Sequence, residues 1–316
     1  MRRTAQRNFM RYVIFVLIVA ILAVAAIFLQ EVNLDTPKIP LGRGVEIVVD
    51  WAIIYLSPAL ETIKLSITKV FVAMEIFFLW VPWPVWMVFV GLLAWRLVSR
   101  GVGLLAGGGL LIIQSVKLWD EAMSTVALVG TAVLIAIILA IPIGIITSRS
   151  NRIDAIIRPI LDAMQTIPSM VYLIPAVMLL GVGKVPAIAA TMIFAIPPAI
   201  RLTNLGLRQV PADVKEAARA FGASGWQMLV KVELPLALRT IMAGVNQSTM
   251  MSVSMVVIAA FIGAGGLGYS VLFALDRVKI GPGFEAGLAI LIIAIVLDRL
   301  TQALSRVGQP VGKRSE

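Results

Sequence analysis

The chain has 316 residues, of which 60% are hydrophobic and 14% are charged, and its mean hydropathy is +0.98. A soluble chain would be about half apolar and about a quarter charged, so the expected solvent is a bilayer. The sequence holds no cysteine and no histidine, which excludes disulfides, thiolate chemistry and the usual general base. Its net charge of +10 comes from basic residues at the ends of apolar runs, a pattern typical of membrane topology rather than of nucleic-acid binding.

The first apolar run covers residues 12–28 and predicts a membrane helix. Four arginines precede it and acidic residues follow it, which places its N-terminus in the cytoplasm. A cleaved signal peptide is the alternative, but no convincing small-x-small cleavage site follows the run. We therefore interpret residues 1–30 as a retained N-terminal membrane anchor helix.

Residues 31–84 are predicted to form an external loop that carries an amphipathic helix. Ser57 can cap this helix with Pro58 at its first position, where the missing N–H costs nothing. Polar side chains then recur at helical spacing, which favours a helix that lies on the outer membrane surface. The alternative is a tilted span that ends near Trp80.

Residues 85–304 are predicted to form the main transmembrane domain, an all-α polytopic helical bundle. Basic residues alternate with acidic ones at the ends of its apolar runs, so successive spans change direction. With the anchor helix this gives eight spans, both termini in the cytoplasm, and a cytoplasmic tail over residues 305–316. The predicted spans of the domain cover residues 85–98, 101–119, 122–146, 159–180, 185–202, 240–262 and 284–304.

A charged insert over residues 205–239 interrupts this apolar sequence on the predicted cytoplasmic side. Pro211 and Asp213 are typical of a helix start, and alanines follow. Gly222 ends the helix and lets the chain turn where a Cβ would clash. A second short apolar helix begins near Trp226. The insert is predicted to be two short helices at a bend that allow a partner to approach closely, and a solvated loop is the alternative.

The stretch "EAARAFGASGWQMLVKVELP" within this insert resembles the EAA loop of permease subunits in binding-protein-dependent ABC importers. The family pattern is Glu-Ala-Ala, three residues, Gly, nine residues, Ile, one residue and Leu-Pro, and this chain departs from it only by a valine for the isoleucine. The resemblance implies a coupling helix that seats in a groove of the ATPase subunit. The residues that match are Glu216, Ala217, Ala218, Gly222, Val232, Leu234 and Pro235.

A second resemblance covers roughly residues 119–275. The stretches "DAMQTIPSMVYLIPAVMLLGVGKV" and "MMSVSMVVIAAFIGAGGLG" resemble permeases of glycine betaine, proline betaine and choline uptake systems, with Met170 and Leu180 near positions where the family usually has phenylalanine. The resemblance implies a type I ABC importer transmembrane domain in the inner membrane. It also implies a periplasmic or lipid-anchored binding protein, a second permease copy, and a separate ATPase that holds ATP and Mg²⁺, with no cofactor bound to this chain.

Two groups of polar residues inside apolar runs are candidates for the translocation path. The first centres on Asp162, because a charge at membrane depth usually faces a cavity or a partner. Arg201 is a candidate partner, and a structural cap near the interface is the alternative. In the second group, polar side chains in one span either line the path or hold helices together. The two groups are Asp162, Gln165, Thr166 and Tyr172, and Asn246, Gln247, Thr249 and Met250.

The sequence also argues against other functions. "GVGKV" at Gly181 lacks the flanking glycine and the Ser/Thr of a P-loop, so ATP hydrolysis is not expected of this chain. An ion-coupled secondary transporter would leave the EAA loop unexplained, and we detect no inverted repeat. Within the importer class, another small solute such as an amino acid or a sulfonate is the alternative substrate.

Overall fold

The computed structural model describes residues 41–304 and four isolated helical positions at residues 15, 18, 19 and 21. The predicted tail over residues 305–316 and, apart from those four positions, the predicted anchor helix over residues 1–30 lie outside the described residues. The chain divides into two compact units, Met1–Val48 and Val49–Glu316. The packing described below belongs to the second unit.

Every regular element among the described residues is helical, as the composition predicts. A π-helical turn at Met228–Glu233 lies within the long helix α9, and a 3₁₀ turn at Ser169–Tyr172 precedes α6. The helices are α1 (Leu41–Trp80), α2 (Trp83–Leu97), α3 (Arg100–Ser115), α4 (Trp119–Arg149), α5 (Asn151–Thr166), α6 (Leu173–Leu180), α7 (Lys184–Arg208), α8 (Ala212–Ala220), α9 (Gly225–Ile262), α10 (Gly266–Asp276) and α11 (Ile280–Leu304).

Four of these helices are long and apolar enough to cross a membrane, namely α4, α7, α9 and α11. The number rises to six if two sharply bent helix pairs each count as one span, whereas the sequence predicted seven spans in this region. The difference arises partly from α2 and α3, whose 15 and 16 residues rise only about 23 Å and about 24 Å, less than a bilayer core of about 30 Å.

The predicted span over residues 159–180 is interrupted, because the chain bends by 107° between α5 and the segment that contains α6. The bend falls at Ile167 and Pro168. Ile167 is extended, with φ −66° and ψ 128°, the conformation that a following proline favours. The other bent pair, α1 and α2, turns by 97° just before Pro82 and Trp83.

Helix α1 begins at Leu41, so the predicted helix start at Ser57 is wrong. Pro58 lies inside the helix, where it cannot donate to the carbonyl of Ile54. The hydroxyl of Ser57 donates to that same carbonyl at 3.4 Å, which satisfies the acceptor that Pro58 leaves free. Farther along, Ile67 and Phe71 are buried against residues of α4 and α7. This packing of the second half of α1 favours the alternative of a tilted span that ends near Trp80.

Helices α4, α7 and α9 approach one another closely through small residues. A Cβ added at Gly144 of α4 would lie 2.5 Å from the Cβ of Thr203 on α7, and one at Gly244 of α9 would lie 3.1 Å from the Cα of Ala199. Small residues at such contacts let membrane helices pack backbone to backbone. The packing brings the C-terminal ends of α4 and α7 together with the first turns of α9, and the charged insert connects α7 to α9.

Candidate functional site

The charged insert forms the first short helix and the turn that the sequence predicts. We call residues 205–239 the coupling segment. Helix α8 begins after the extended Pro211, with Asp213 in its first turn and Arg219 in its last, as the helix dipole favours. The chain then turns at Gly222, and a second helical segment begins at Gly225. The predicted first short helix and the turn after it are therefore confirmed, whereas the second helix is not short, because the segment that begins at Gly225 is the start of α9.

Gly222 is required for a different reason from the one predicted. Its φ of +81° lies in the left-handed region, which side chains with a Cβ adopt at a cost. A Cβ built there meets no atom of the described residues within 4 Å, so the expected clash does not occur inside the chain. The turn is followed by a capping box, in which the Ser224 hydroxyl accepts from the Gln227 amide and the Gln227 side chain accepts from the Ser224 N–H.

The outer face of the coupling segment exposes large apolar side chains beside the matched motif residues. Phe221 is 93% exposed and Trp226 is 72% exposed. Glu216 and Ala217 are also exposed, and no residue of α8, which the structure describes in full, is buried. Two exposed aromatic side chains flanking one turn favour a docking surface over a solvated loop, because aromatic residues are enriched at protein interfaces.

A buried carboxylate holds the inner face of the coupling segment. Glu233, in the π-helical turn of α9, is only 2% exposed. The Arg149 guanidinium at the end of α4 donates to both of its oxygens, with 3.1 Å between Nη1 and Oε1. Lys215 Nζ of α8 lies 3.6 Å from Oε1 and also donates to the carbonyl of Leu207 at 3.2 Å. The sequence analysis missed this site, although an acidic residue beside an apolar helix was a usable signal.

The remaining motif residues lie near this carboxylate, at the start of α9. Val232 and Leu234 are half-buried, and Pro235 is exposed. Leu234 packs against a small hydrophobic cluster of α7 and α9 that includes the buried Leu207 and Ala237. These positions anchor the coupling segment, whereas Glu216, Ala217 and Gly222 lie on its exposed side.

Asp162 lies in a charged cleft of about 290 Å³ between α5 and α7. Arg201 Nη2 donates to its Oδ1 at 2.6 Å, which confirms the predicted pair. The two side chains are 58% and 37% exposed, so the pair lies at the mouth of the cleft. Deeper in the cleft, Asp154 accepts from Arg158 at 2.7 Å and from Asn204 at 2.7 Å. Sequence analysis did not identify this second group.

The other residues of the first path group do not gather around Asp162. Gln165 and Thr166 are exposed, and the Thr166 hydroxyl donates to a carbonyl of its own helix. Tyr172 is buried, with its ring 6.0 Å from that of Phe194, and its hydroxyl donates to the carbonyl of Met164. Since Met164 and Tyr172 lie on opposite sides of the 107° bend, Tyr172 stabilises the bend.

The second path group divides between two faces of α9. The Asn246 amide donates to Asp298 of α11 at 3.0 Å and its carbonyl oxygen accepts from Thr301. Thr249 is buried, and its hydroxyl donates to the carbonyl of Val245 at 2.8 Å. Asn246 therefore follows the alternative of holding the protein's own helices together, whereas Thr249 is buried and bonded within its own helix.

The opposite face of α9 carries the residues that point away from these contacts. Gln247 and Ser254 are exposed, and Met250 and Met251 are half-buried between them. Their spacing puts them on one helical face. We call these four residues the α9 stripe. It contains amides, hydroxyls and thioethers and no charge.

Among the described residues, no group of three or more His, Cys, Asp or Glu side chains could hold a metal ion. The carboxylates of the two sites have cationic partners instead: Glu233 pairs with Arg149 and Lys215, and Asp162 pairs with Arg201.

Comparison with known proteins places these features in a family. Residues 132–307 match the family model described as "Binding-protein-dependent transport system inner membrane component". The chain is 47% identical over 276 residues to the glycine betaine/proline betaine transport system permease protein ProW of Escherichia coli, covering 87% of this chain and 78% of the relative. It is 44% identical over 266 residues to the glycine betaine transport system permease protein OpuAB of Bacillus subtilis, covering 84% and 94%.

The fold has a counterpart among solved structures. An inward-facing conformation of the MetNI methionine ABC transporter aligns with a TM-score of 0.55, covering 62% of this chain and 98% of the solved chain. The sequence identity over that alignment is 20%, so the likeness concerns the fold alone.

Proposed function

Because the chain belongs to the family of binding-protein-dependent transport system inner membrane components, we propose that it carries glycine betaine, proline betaine and related quaternary amines across the membrane. The observation that carries this proposal is the 47% identity over 276 residues with a permease of that substrate class. A relative in Listeria monocytogenes, a glycine betaine/carnitine transport permease, is 52% identical over 198 residues. The substrates that the names of these relatives give are all quaternary ammonium compounds.

The chain is a permease subunit of an ABC importer and a multi-pass inner-membrane protein, not an enzyme. An importer of this class works with an ATPase subunit and a substrate-binding protein. In our proposal the exposed face of the coupling segment docks on the ATPase, which binds ATP and Mg²⁺. Exposed Phe221, Trp226 and the matched residue Glu216 support this assignment.

The α9 stripe is the part of the translocation path that the geometry favours. A quaternary ammonium group carries a permanent charge shielded by methyl groups. Side chains such as Gln247 and Met250 interact weakly with such a group and release it, whereas a buried carboxylate would hold it. Asp162 and Arg201 neutralise each other at the mouth of the cleft, so they would not trap a cation either.

The substrate test is uptake into proteoliposomes that contain the permease, its ATPase and its binding protein. We expect ATP-dependent uptake of labelled glycine betaine that unlabelled proline betaine or choline reduces and that methionine or taurine does not. Uptake of an amino acid or sulfonate in place of betaine would reject the substrate class and leave the permease assignment intact. Uptake driven by an ion gradient without ATP would contradict both.

A second copy of the chain is proposed to cover the α9 stripe. The stripe is exposed in a single chain although it lies in the middle of a membrane helix. Two stripes that face each other would enclose a polar path. On this cysteine-free chain, Ser254→Cys should form a disulfide between copies under oxidation, whereas the buried Thr249→Cys should not. The reverse pattern would place the stripe away from a twofold axis.

The proposed orientation puts the coupling segment in the cytoplasm, where the ATPase is. Reporter fusions after Arg149 and Arg208 should read cytoplasmic, and fusions at Asp120 and Asp276 should read external. An external reading at Arg208 would contradict docking on the ATPase. The cytoplasmic location of both chain termini stays a prediction, which fusions at each end would test.

A further inference from the structure

The Glu233 carboxylate links side chains of three different helices. Arg149 ends α4, Lys215 lies in the middle of α8, and Glu233 lies at the start of α9. The family pattern leaves the position of Glu233 open, since it is the one unspecified residue between Val232 and Leu234. Here that open position holds a carboxylate that is 2% exposed.

Because Glu233 is buried, its contact with Arg149 has a defined geometry. A buried carboxylate must be paired, because removal of one partner leaves a charge without solvent or counter-ion. The Arg149 fork donates to both oxygens of Glu233, which fixes the direction of the guanidinium as well as its distance. The end of α4 and the start of α9 are therefore held in one relative arrangement.

Lys215 extends this arrangement to the coupling helix. Helix α8 buries none of its residues, all of which the structure describes, so apolar packing alone does not fix it to the bundle. Lys215 contacts Glu233 on one side and the carbonyl of Leu207 in α7 on the other. Lys215 and Glu233 therefore provide a side-chain link from α8 to α4 and α9, in addition to the covalent connection through Gly222.

We propose that Glu233 is the positioning residue that transmits movement of the coupling helix to α4 and α9, together with Arg149 and Lys215. This inference rests on the proposed docking of α8 on the ATPase. The ion triad then makes α8 and the ends of the two membrane helices move as one rigid body, as a conformational switch requires. Glu233 is buried and its partners belong to the same chain, so its loss should leave docking intact and disconnect hydrolysis from transport.

The test uses the complete transporter in proteoliposomes and compares substrate transported per ATP hydrolysed. Glu233→Gln keeps the shape and removes the charge. We expect it to copurify with the ATPase in normal amount and to lower transport per ATP by about tenfold or more, the effect of losing charge-assisted hydrogen bonds. Adding Arg149→Gln should cost little further, because both changes break one contact. Glu61→Gln is the matched control, since Glu61 forms an exposed pair with Lys64.

Normal transport per ATP in Glu233→Gln would overturn the proposal. Loss of the ATPase on purification would also overturn the proposal, because Glu233 would then support docking itself. Gly222 variants are expected to lose the ATPase in that way, so a failure of docking can be distinguished from a failure of coupling. If Glu233→Gln does not insert, spin labels at Ile146→Cys and Ala212→Cys in the otherwise unchanged protein give a second test. Their separation should stay constant when ATP binds, and a change in it would show that α8 and α4 do not move together.

Discussion

Replacing Gly222 tests two properties of this residue separately: the backbone turn that it makes and the open space around its Cα. Gly222 has φ +81°, and a Cβ there meets no described atom within 4 Å. The cost to the isolated chain is therefore the backbone strain alone, about 1 kcal/mol. That strain would reduce a docking-competent population by about fivefold. We expect Gly222→Ala to lower uptake by no more than this factor and Gly222→Asp to abolish it, because a charged side chain projects into the ATPase groove.

The assay for these variants combines labelled betaine uptake with copurification of the ATPase. Gly222→Asn is the control for charge, since asparagine and aspartate both tolerate positive φ. Gly101→Asp is the control for an added carboxylate, because Gly101 also has open space around its Cβ and lies far along the chain in α3. The amount of protein in the membrane should be unchanged in all four variants. Full uptake and normal copurification with Gly222→Asp would refute docking through this turn.

Two further predictions concern the path candidates. Asp162→Ala should lower the free energy of unfolding by no more than about 1 kcal/mol, because its pair with Arg201 is largely exposed. Adding Arg201→Ala should not increase this loss in thermal unfolding. Clean additivity would show that the two side chains act independently. Single cysteines at Gln247 and Ser254 should react with a small charged thiol reagent, and the labelling should change when the ATPase binds ATP, whereas a cysteine at Thr249 should be protected. Uniform protection across these positions would remove the α9 stripe from the path.

The coupling segment was predictable because its signals are local. Pro211, Asp213 and Gly222 each act within one or two turns of their own position, and the structure places the helix between them. Pro58 shows the limit of the same reasoning. The proline rule predicts a helix start at this position. The Ser57 hydroxyl instead donates to the Ile54 carbonyl, to which Pro58 cannot donate, and the helix continues past Pro58. A local exception of this kind is visible only once the hydroxyl rotamer is known.

The long-range polar contacts could not be predicted in the same way. Glu233 and Arg149 are separated by 84 residues, and Asn246 and Asp298 by 52. In both cases the sequence shows a polar residue in or beside an apolar run, which predicts a partner without identifying it. For Asp162 the partner was identified because Arg201 lies at the same predicted depth in the next helix, so the search was short.

The residues of the family pattern lie on two sides of the coupling segment, and Glu233 lies on the inner side beside Val232 and Leu234. Glu216, Ala217 and Gly222 lie on the exposed face of the coupling segment, where their shape must match a surface on another protein. Glu233 faces inward, and its partners Arg149 and Lys215 belong to the same chain. An internal contact can be rebuilt with different residues as long as both sides change together, whereas a docking face is constrained by its partner. The rigidity that coupling requires thus depends on residues that a docking motif does not include. A variant of Glu233 is therefore expected to disconnect ATP hydrolysis from transport while the ATPase remains bound.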